Sequence, residues 1–319
     1  MASELDDLVA RLIAGEARAL ARAISIVEDR RPAARDIMKA VAPRAGRSPI
    51  LGITGPPGAG KSTLVDALTG VLRSEGHRVG IIAVDPSSTF SGGAVLGDRI
   101  RMMRHSTDEG VFIRSMATRG HFGGLASSTV DVADLMAAAG CGIILIETVG
   151  VGQDEVDVVR VADVVMVVLV PGMGDDIQTI KAGIMEIPDI FVLNKADRDG
   201  IDRLHADVQA MLTLMDGTRP VPRIVRTVAT SGQGILELRA AITDLLGGAA
   251  EDAMERRRLE RSRERLLDLL RERLMEMAQA PASRAALDRL VGQVADRTLD
   301  SHAAADTLMK QLLASKDLS

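Results

Sequence analysis

The run GPPGAGKS, Gly55 to Ser62, constrains this chain more than any other segment. It follows an apolar, β-rich stretch, PILGIT, and precedes a helical pattern, TLVDALTGVL. Strand, glycine-rich turn and helix in that order build a cradle for an anion. Gly55, Pro56, Pro57, Gly58, Ala59 and Gly60 form the turn, whose glycines let backbone N–H groups face inward, and Lys61, Ser62 and Thr63 open the helix. Lys61 is placed to reach the β- and γ-phosphates of a nucleotide, and the Ser62 hydroxyl to coordinate Mg²⁺. A chance match in a chain of ordinary glycine usage has a probability on the order of 1%.

The rest of the chain suits such a cradle. From residue 49, short β-rich runs (PILGIT, VGIIAV, VFIRS, GIILIET, VVMVVLV, DIFVLN, RIVRTVAT) alternate with longer helical or loop stretches. This predicts an α/β fold of the P-loop NTPase kind, a mostly parallel central sheet flanked by helices on both faces. Before it, Leu5, Leu8, Val9, Leu12 and Ile13 recur at helical spacing, and a second series runs from Leu20 through Ile24 to Val27. After Gly247-Gly248, the stretch MERRRLERSRERLLDLLRERLMEM reads as a long exposed helix laced with ion pairs. It carries an apolar stripe of Leu259, Leu266, Leu270, Leu274 and Met277, and Pro281 breaks it. The expected divisions are an N-terminal helical extension over 1–48, a nucleotide-binding domain over 49–248 and a C-terminal helical arm over 249–319.

Two further motifs choose the nucleotide and the metal. Asn194-Lys195-Ala196-Asp197 closes the strand DIFVLN. A carboxylate at Asp197 can accept two parallel hydrogen bonds from N1–H and the exocyclic amine of guanine, a donor pair that adenine lacks. Asn194 would bond guanine N7 and brace the loop, Lys195 would lie over the base, and Ser231, Gly232 and Gln233 would set a backbone N–H against guanine O6. ETVGVGQ follows the strand GIILI. Glu147 there can hold a Mg²⁺-bound water, and Gly150 lets the backbone approach the γ-phosphate. Asp85 ends the strand VGIIAV, and Asp98 lies downstream of it. These carboxylates can complete the metal shell or orient the attacking water. Asp98 also suits a helix N-cap before RIRMMR, and the two roles can coexist. Gln153 lies three residues past Gly150 and reads as a switch residue.

Composition removes several function classes. Four Phe, no Trp, no Tyr and a net charge of −5 argue against nucleic acid as a partner. The most apolar run, residues 164–170, is too short to span a bilayer, and the N-terminus lacks a secretory pattern. The expectation is a cytoplasmic protein without a membrane partner. Cys141 stands alone, and five His (77, 105, 121, 205 and 302) are scattered, which disfavours a metallochaperone GTPase of the nickel-delivery type. A transport ATPase or kinase is disfavoured by Asp197.

VDPSSxxxGGxxLGDRxRM, IRSMATRGxxGGLA, ETVGVGQ, PGMGDDIQTIKAG and NKADRDG occur here in order. As a set they resemble the MeaB/ArgK-type GTPases, chaperones of adenosylcobalamin-dependent acyl-CoA mutases such as methylmalonyl-CoA mutase. The resemblance spans about residues 5–280. It implies a GTP-hydrolysing switch that gates cofactor loading and protects or reactivates the mutase, which itself holds the cobalamin. It also implies a homodimer formed through the C-terminal arm. Three mobile segments are implied near 85–102, 147–156 and 172–183, the last holding Asp175, Asp176, Gln178 and Lys181.

Overall fold

The computed structural model describes residues 2–46, 48–85, 105, 107–117, 124–148, 161–172, 188–213, 220–247 and 251–314. All seven β-rich runs form strands: β1 (Ile50–Thr54), β2 (Val79–Asp85), β3 (Val111–Ala117), β4 (Ile143–Thr148), β5 (Val164–Leu169), β6 (Ile190–Leu193) and β7 (Arg223–Arg226). They make one sheet in the order β3-β2-β4-β1-β5-β6-β7, with every pairing parallel. Parallel neighbours need long crossovers, and crossover helices bury both faces of the sheet. Accordingly β4 and β5 are buried along their whole length. β1 sits at the centre, with β4 on one side and β5 on the other. The chain reverses its direction of travel across the sheet there, which opens a crevice at the carboxyl end of β1.

One face of the sheet is covered by α4 (Lys61–Ser74) and α7 (Ile235–Leu246). Their Leu64, Leu68, Leu72, Leu238 and Ile242 pack against Leu51, Ile53, Leu145 and Met166. The other face carries two groups of helices. α6 (Ile201–Leu212) sets Leu204, Val208 and Leu212 against Val167, Phe191 and Leu193. α5 (Gly124–Ala138) shares its side of the sheet with α1 (Ala2–Ile13), α2 (Ala17–Glu28) and α3 (Ala34–Val41). Leu12, Ile24 and Ile37 of these N-terminal helices join one buried cluster with Ile82, Ile144 and Ile146 of the sheet. Polar ties reinforce the packing. Arg114 on β3 pairs with Glu28 of α2, and Arg78 donates to Gly15 O and Ala139 O, each at 3.1 Å. Arg73 of α4 grips Asp108 before β3 at 2.8 and 2.9 Å, holding that carboxyl down at about 2.

The chain divides into two compact units, Met1–Arg261 and Ser262–Ser319. After α8 (Glu251–Gln279), Pro281 occupies the first turn of α9 (Pro281–Ala295), where its missing N–H costs nothing, and α10 (Ser301–Ala314) follows. On α8, Leu259, Leu266 and Leu270 are exposed by 65%, 68% and 53%, while Leu274 and Met277 are half-buried. Among the described residues no helix is long and apolar enough to cross a membrane.

Candidate functional site

β1 delivers the chain into the glycine-rich turn at the crevice. At Gly55, φ is +136° and a Cβ would stand 2.3 Å from the Val168 carbonyl oxygen on β5, so only glycine can enter the turn. At Gly60, φ is +91° and a Cβ would stand 2.5 Å from Asn194 Nδ2. The turn is therefore threaded between β5 and the segment after β6. α4 begins at Lys61, which leaves its first backbone N–H groups without intrahelical acceptors and directs the positive end of the helix dipole at the hollow of the turn.

Two buried polar side chains equip that hollow. The Lys61 ammonium folds back over the turn and donates to Gly55 O at 2.6 Å and Pro56 O at 3.0 Å. The lysine is 5% exposed, so its charge is held in place rather than left in solvent. Ser62 Oγ donates to Glu147 Oε1 at 2.6 Å, and both residues are buried. Register explains this meeting. Ile53 of β1 is paired with Glu147 of β4, so the carboxylate projects on the face that carries α4. A hydroxyl and a carboxylate together form a hard oxygen donor set, which matches Mg²⁺ with its retained waters and phosphate ligands. Among the described residues no group of three His, Cys, Asp or Glu gathers to hold a metal by itself.

The second half of the site is the loop after β6. Asn194 is 2% exposed and joins three segments. Its Nδ2 donates to Ala59 O at 2.9 Å, and its Oδ1 accepts from Thr227 Oγ1 at 3.1 Å and Ala229 N at 3.2 Å. Lys195 adopts a left-handed φ of +54° and donates from Nζ to Gly58 O at 2.7 Å. Asp197 is exposed on the following turn. Ser231 closes a tight turn by donating through N and Oγ to Val228 O at 3.0 and 3.2 Å, and Gly232 takes φ +78°. The run RIVRTVAT reads as one strand, but β7 stops at Arg226: Thr227 still pairs through its backbone with Leu193 O and Ala196 N, and the chain then turns back, with Val228 N donating to Gln233 O and Ala229 N to Asn194 Oδ1. Beside this loop lies a cleft of about 480 Å³ between Thr63, Asp66 and Val71 of α4 and Thr230, Gly232 and Ile235.

The structure thus brings residues 55–63, Glu147, Asn194, Lys195, Asp197 and 231–233 to one end of the sheet. Asp85 is the last residue of β2, but its side chain is outside the described residues, as are Asp98, Gly150, Gln153, Asp175, Asp176, Gln178 and Lys181. Sequence reasoning missed the supporting partners Thr227 and Ala229, and a buried pair, Thr54 and Thr148, whose hydroxyls meet at 3.0 Å. The available signal was a threonine at the last position of each of two apolar strands, ILGIT and IILIET.

A parallel sheet with a phosphate-type loop at its central crevice, braced by an Asn-Lys-x-Asp loop, defines the class of P-loop GTPases. The chain belongs to the MeaB family: the family described as methylmalonyl Co-A mutase-associated GTPase MeaB matches residues 20–283. A Pyrococcus abyssi protein is 46% identical over 314 residues, 97% of this chain and 97% of its own length. The mouse protein named methylmalonic aciduria type A homolog, mitochondrial, is 33% identical over 327 residues, 96% of this chain and 79% of that one. A solved structure described as LAO/AO transport system kinase is similar with a TM-score of 0.68 and 27% identity, covering 98% of each chain.

Proposed function

We propose that this protein is a Mg²⁺-dependent GTP-hydrolysing switch that gates cofactor loading by an adenosylcobalamin-dependent acyl-CoA mutase and protects or reactivates that enzyme. The observation that carries the reading is the meeting of Lys61, the Ser62–Glu147 pair and Asn194 on a single turn. Family membership supports the partner class. In this reading the backbone of residues 55–60 and the start of α4 cradle the phosphates, and Lys61 stabilises charge on the β- and γ-oxygens. Ser62 and Glu147 would hold Mg²⁺, with Asp85 and Asp98 as further ligands or water-orienting groups. When bound, the ion neutralises charge developing on the transferred phosphoryl group. Asp197 accepts from guanine, and Asn194 would bond guanine N7 while it braces the loop. Gly150 and Ser231 to Gln233 would approach the γ-phosphate and the base edge.

A γ-phosphate can order loops that relax after hydrolysis, and segments 147–156 and 172–183 are the proposed relay. Mutase affinity is then expected to differ by about 5–150-fold between the GDP-bound and GTP-analogue-bound states, with the mutase shifting nucleotide affinity by the same factor. Calorimetry with a purified acyl-CoA mutase measures both. Equal affinity in the two states, with no effect of the mutase on GTP turnover, would contradict the chaperone reading while leaving the GTPase intact.

The C-terminal arm is proposed to pair two copies. Leu259, Leu266 and Leu270 form an exposed apolar stripe along α8, and such stripes mark interaction surfaces. Light scattering on a chain ending at Gly248 should report a monomer where the full chain reports a dimer. An unchanged dimer would place the interface elsewhere.

A further inference from the structure

We propose that Thr148 is a positioning residue, which through its hydrogen bond to Thr54 sets the spacing of the Ser62–Glu147 pair on the opposite face of the sheet. The proposal rests on the reading of that pair as a Mg²⁺ site, and it adds a residue that touches neither nucleotide nor metal.

β1 and β4 are parallel neighbours with Ile53 opposite Glu147. Side chains alternate between faces, so the next pair, Thr54 and Thr148, points away from α4. Thr148 Oγ1 donates to Thr54 Oγ1 at 3.0 Å, and both residues are fully buried. Their neighbours on that face are aliphatic, including Val84, Ile144 and Ile146. Valine would fill the same volume there without burying a hydroxyl, so packing alone does not call for threonine. What the hydroxyls add is distance: two methyl groups in contact stand about 3.5–4.0 Å apart, so the hydrogen bond holds the strand ends closer by about 0.5–1 Å.

That difference falls where it matters most. Thr54 immediately precedes Gly55, and Thr148 immediately follows Glu147. The backbone at Gly55 already lies close against β5, near enough that a Cβ would stand 2.3 Å from Val168 O, so the entry of the turn has little room to move that way. Slack between β1 and β4 therefore displaces the end of β4, which carries Glu147. A displacement of that size along the bond would lengthen the 2.6 Å Ser62–Glu147 hydrogen bond to about 3.1–3.6 Å, past the usual range for a hydroxyl donor.

The test compares Thr148→Val, the double variant Thr54→Val/Thr148→Val and Thr148→Ser with the wild type. Dissociation constants of fluorescent GDP and a fluorescent non-hydrolysable GTP analogue are measured with Mg²⁺ and with EDTA, alongside thermal unfolding. Thr148→Val is expected to lose about 10-fold in the Mg²⁺-dependent tightening of the analogue, the scale seen for groups that orient metal ligands. It should also melt about 2–4 °C lower, because the Thr54 hydroxyl loses its partner. The double variant removes both hydroxyls and should regain the melting temperature but not the Mg²⁺ effect. Thr148→Ser should keep both. A purely structural role predicts that the double variant recovers both readouts, and that result, or unchanged Mg²⁺ dependence in Thr148→Val, overturns the proposal. A wild type that binds neither nucleotide overturns the functional reading and this inference with it. A wild type that binds both, with an unaffected double variant, overturns the inference alone.

Discussion

Replacing Lys61 by alanine is expected to lower GTP turnover by about 10²–10³-fold, the loss typical of removing one preorganised group from the place where charge develops. The ammonium is already held inside the turn by Gly55 O and Pro56 O, so little of its freedom remains to be lost when phosphate arrives. The fold itself should tolerate the change. Lys61→Ala removes a buried charge together with its hydrogen bonds to Gly55 O and Pro56 O, and the desolvation relieved offsets part of the bonding lost. Single-turnover hydrolysis with Mg²⁺, paired with thermal unfolding without nucleotide, separates the two effects. Turnover within a factor of three of the wild type would remove Lys61 from the mechanism.

Asn194→Ala should damage both nucleotide binding and stability, whereas Asp197→Asn should damage binding alone. Asn194 is buried, and its loss strands Ala59 O, Thr227 Oγ1 and Ala229 N. At about 1–3 kcal/mol for each stranded group, the expected cost is at least about 3 kcal/mol, or a melting temperature lower by about 6–12 °C. Guanine-nucleotide affinity should fall by about 100-fold, because the phosphate turn and the base loop lose their common brace. Asp197 is exposed, so Asp197→Asn should leave stability within about 0.5 kcal/mol of the wild type. Its affinity for GTP should fall by a factor of about 10–100, since hydrogen bonds to a charged group contribute about 1.5–3 kcal/mol each, and xanthine nucleotides should be preferred. Equal affinity of the wild type for ATP and GTP would refute the guanine assignment. An Asn194→Ala protein with an unchanged melting temperature would refute the bracing role.

Both predictions concern one mechanical fact. The phosphate turn has few supports of its own, so its shape depends on contacts to β5, β4 and the loop after β6. Lys61 ties it internally, Lys195 and Asn194 hold its outer carbonyls, and Ser62 fastens its helical end to Glu147. A site built this way can transmit a change at one support to the others.

The local chemistry of the site was legible in the sequence because it is written in contiguous residues. GPPGAGKS specifies its turn through glycines that must take left-handed φ or meet a neighbouring backbone. Glu147 was legible from its place at the end of an aliphatic strand. The seven strands were legible because a parallel sheet buried on both faces demands short apolar runs between crossovers. Helical spacing in residues 1–48 announced apolar faces, yet nothing in that spacing said what they would cover. Tertiary structure set them against β2, β3 and β4 in one cluster with α5. The strand order and the register that puts Glu147 opposite Ile53 depend on pairings between distant segments, which no local pattern encodes. The same holds for Asn194 as a brace and for Thr148 against Thr54, where the partner residues lie 94 positions apart. Motif and periodicity determined which groups the protein carries and which elements bear them. Only the packed sheet decided which of those groups touch, because contact depends on register across hydrogen-bonded neighbours.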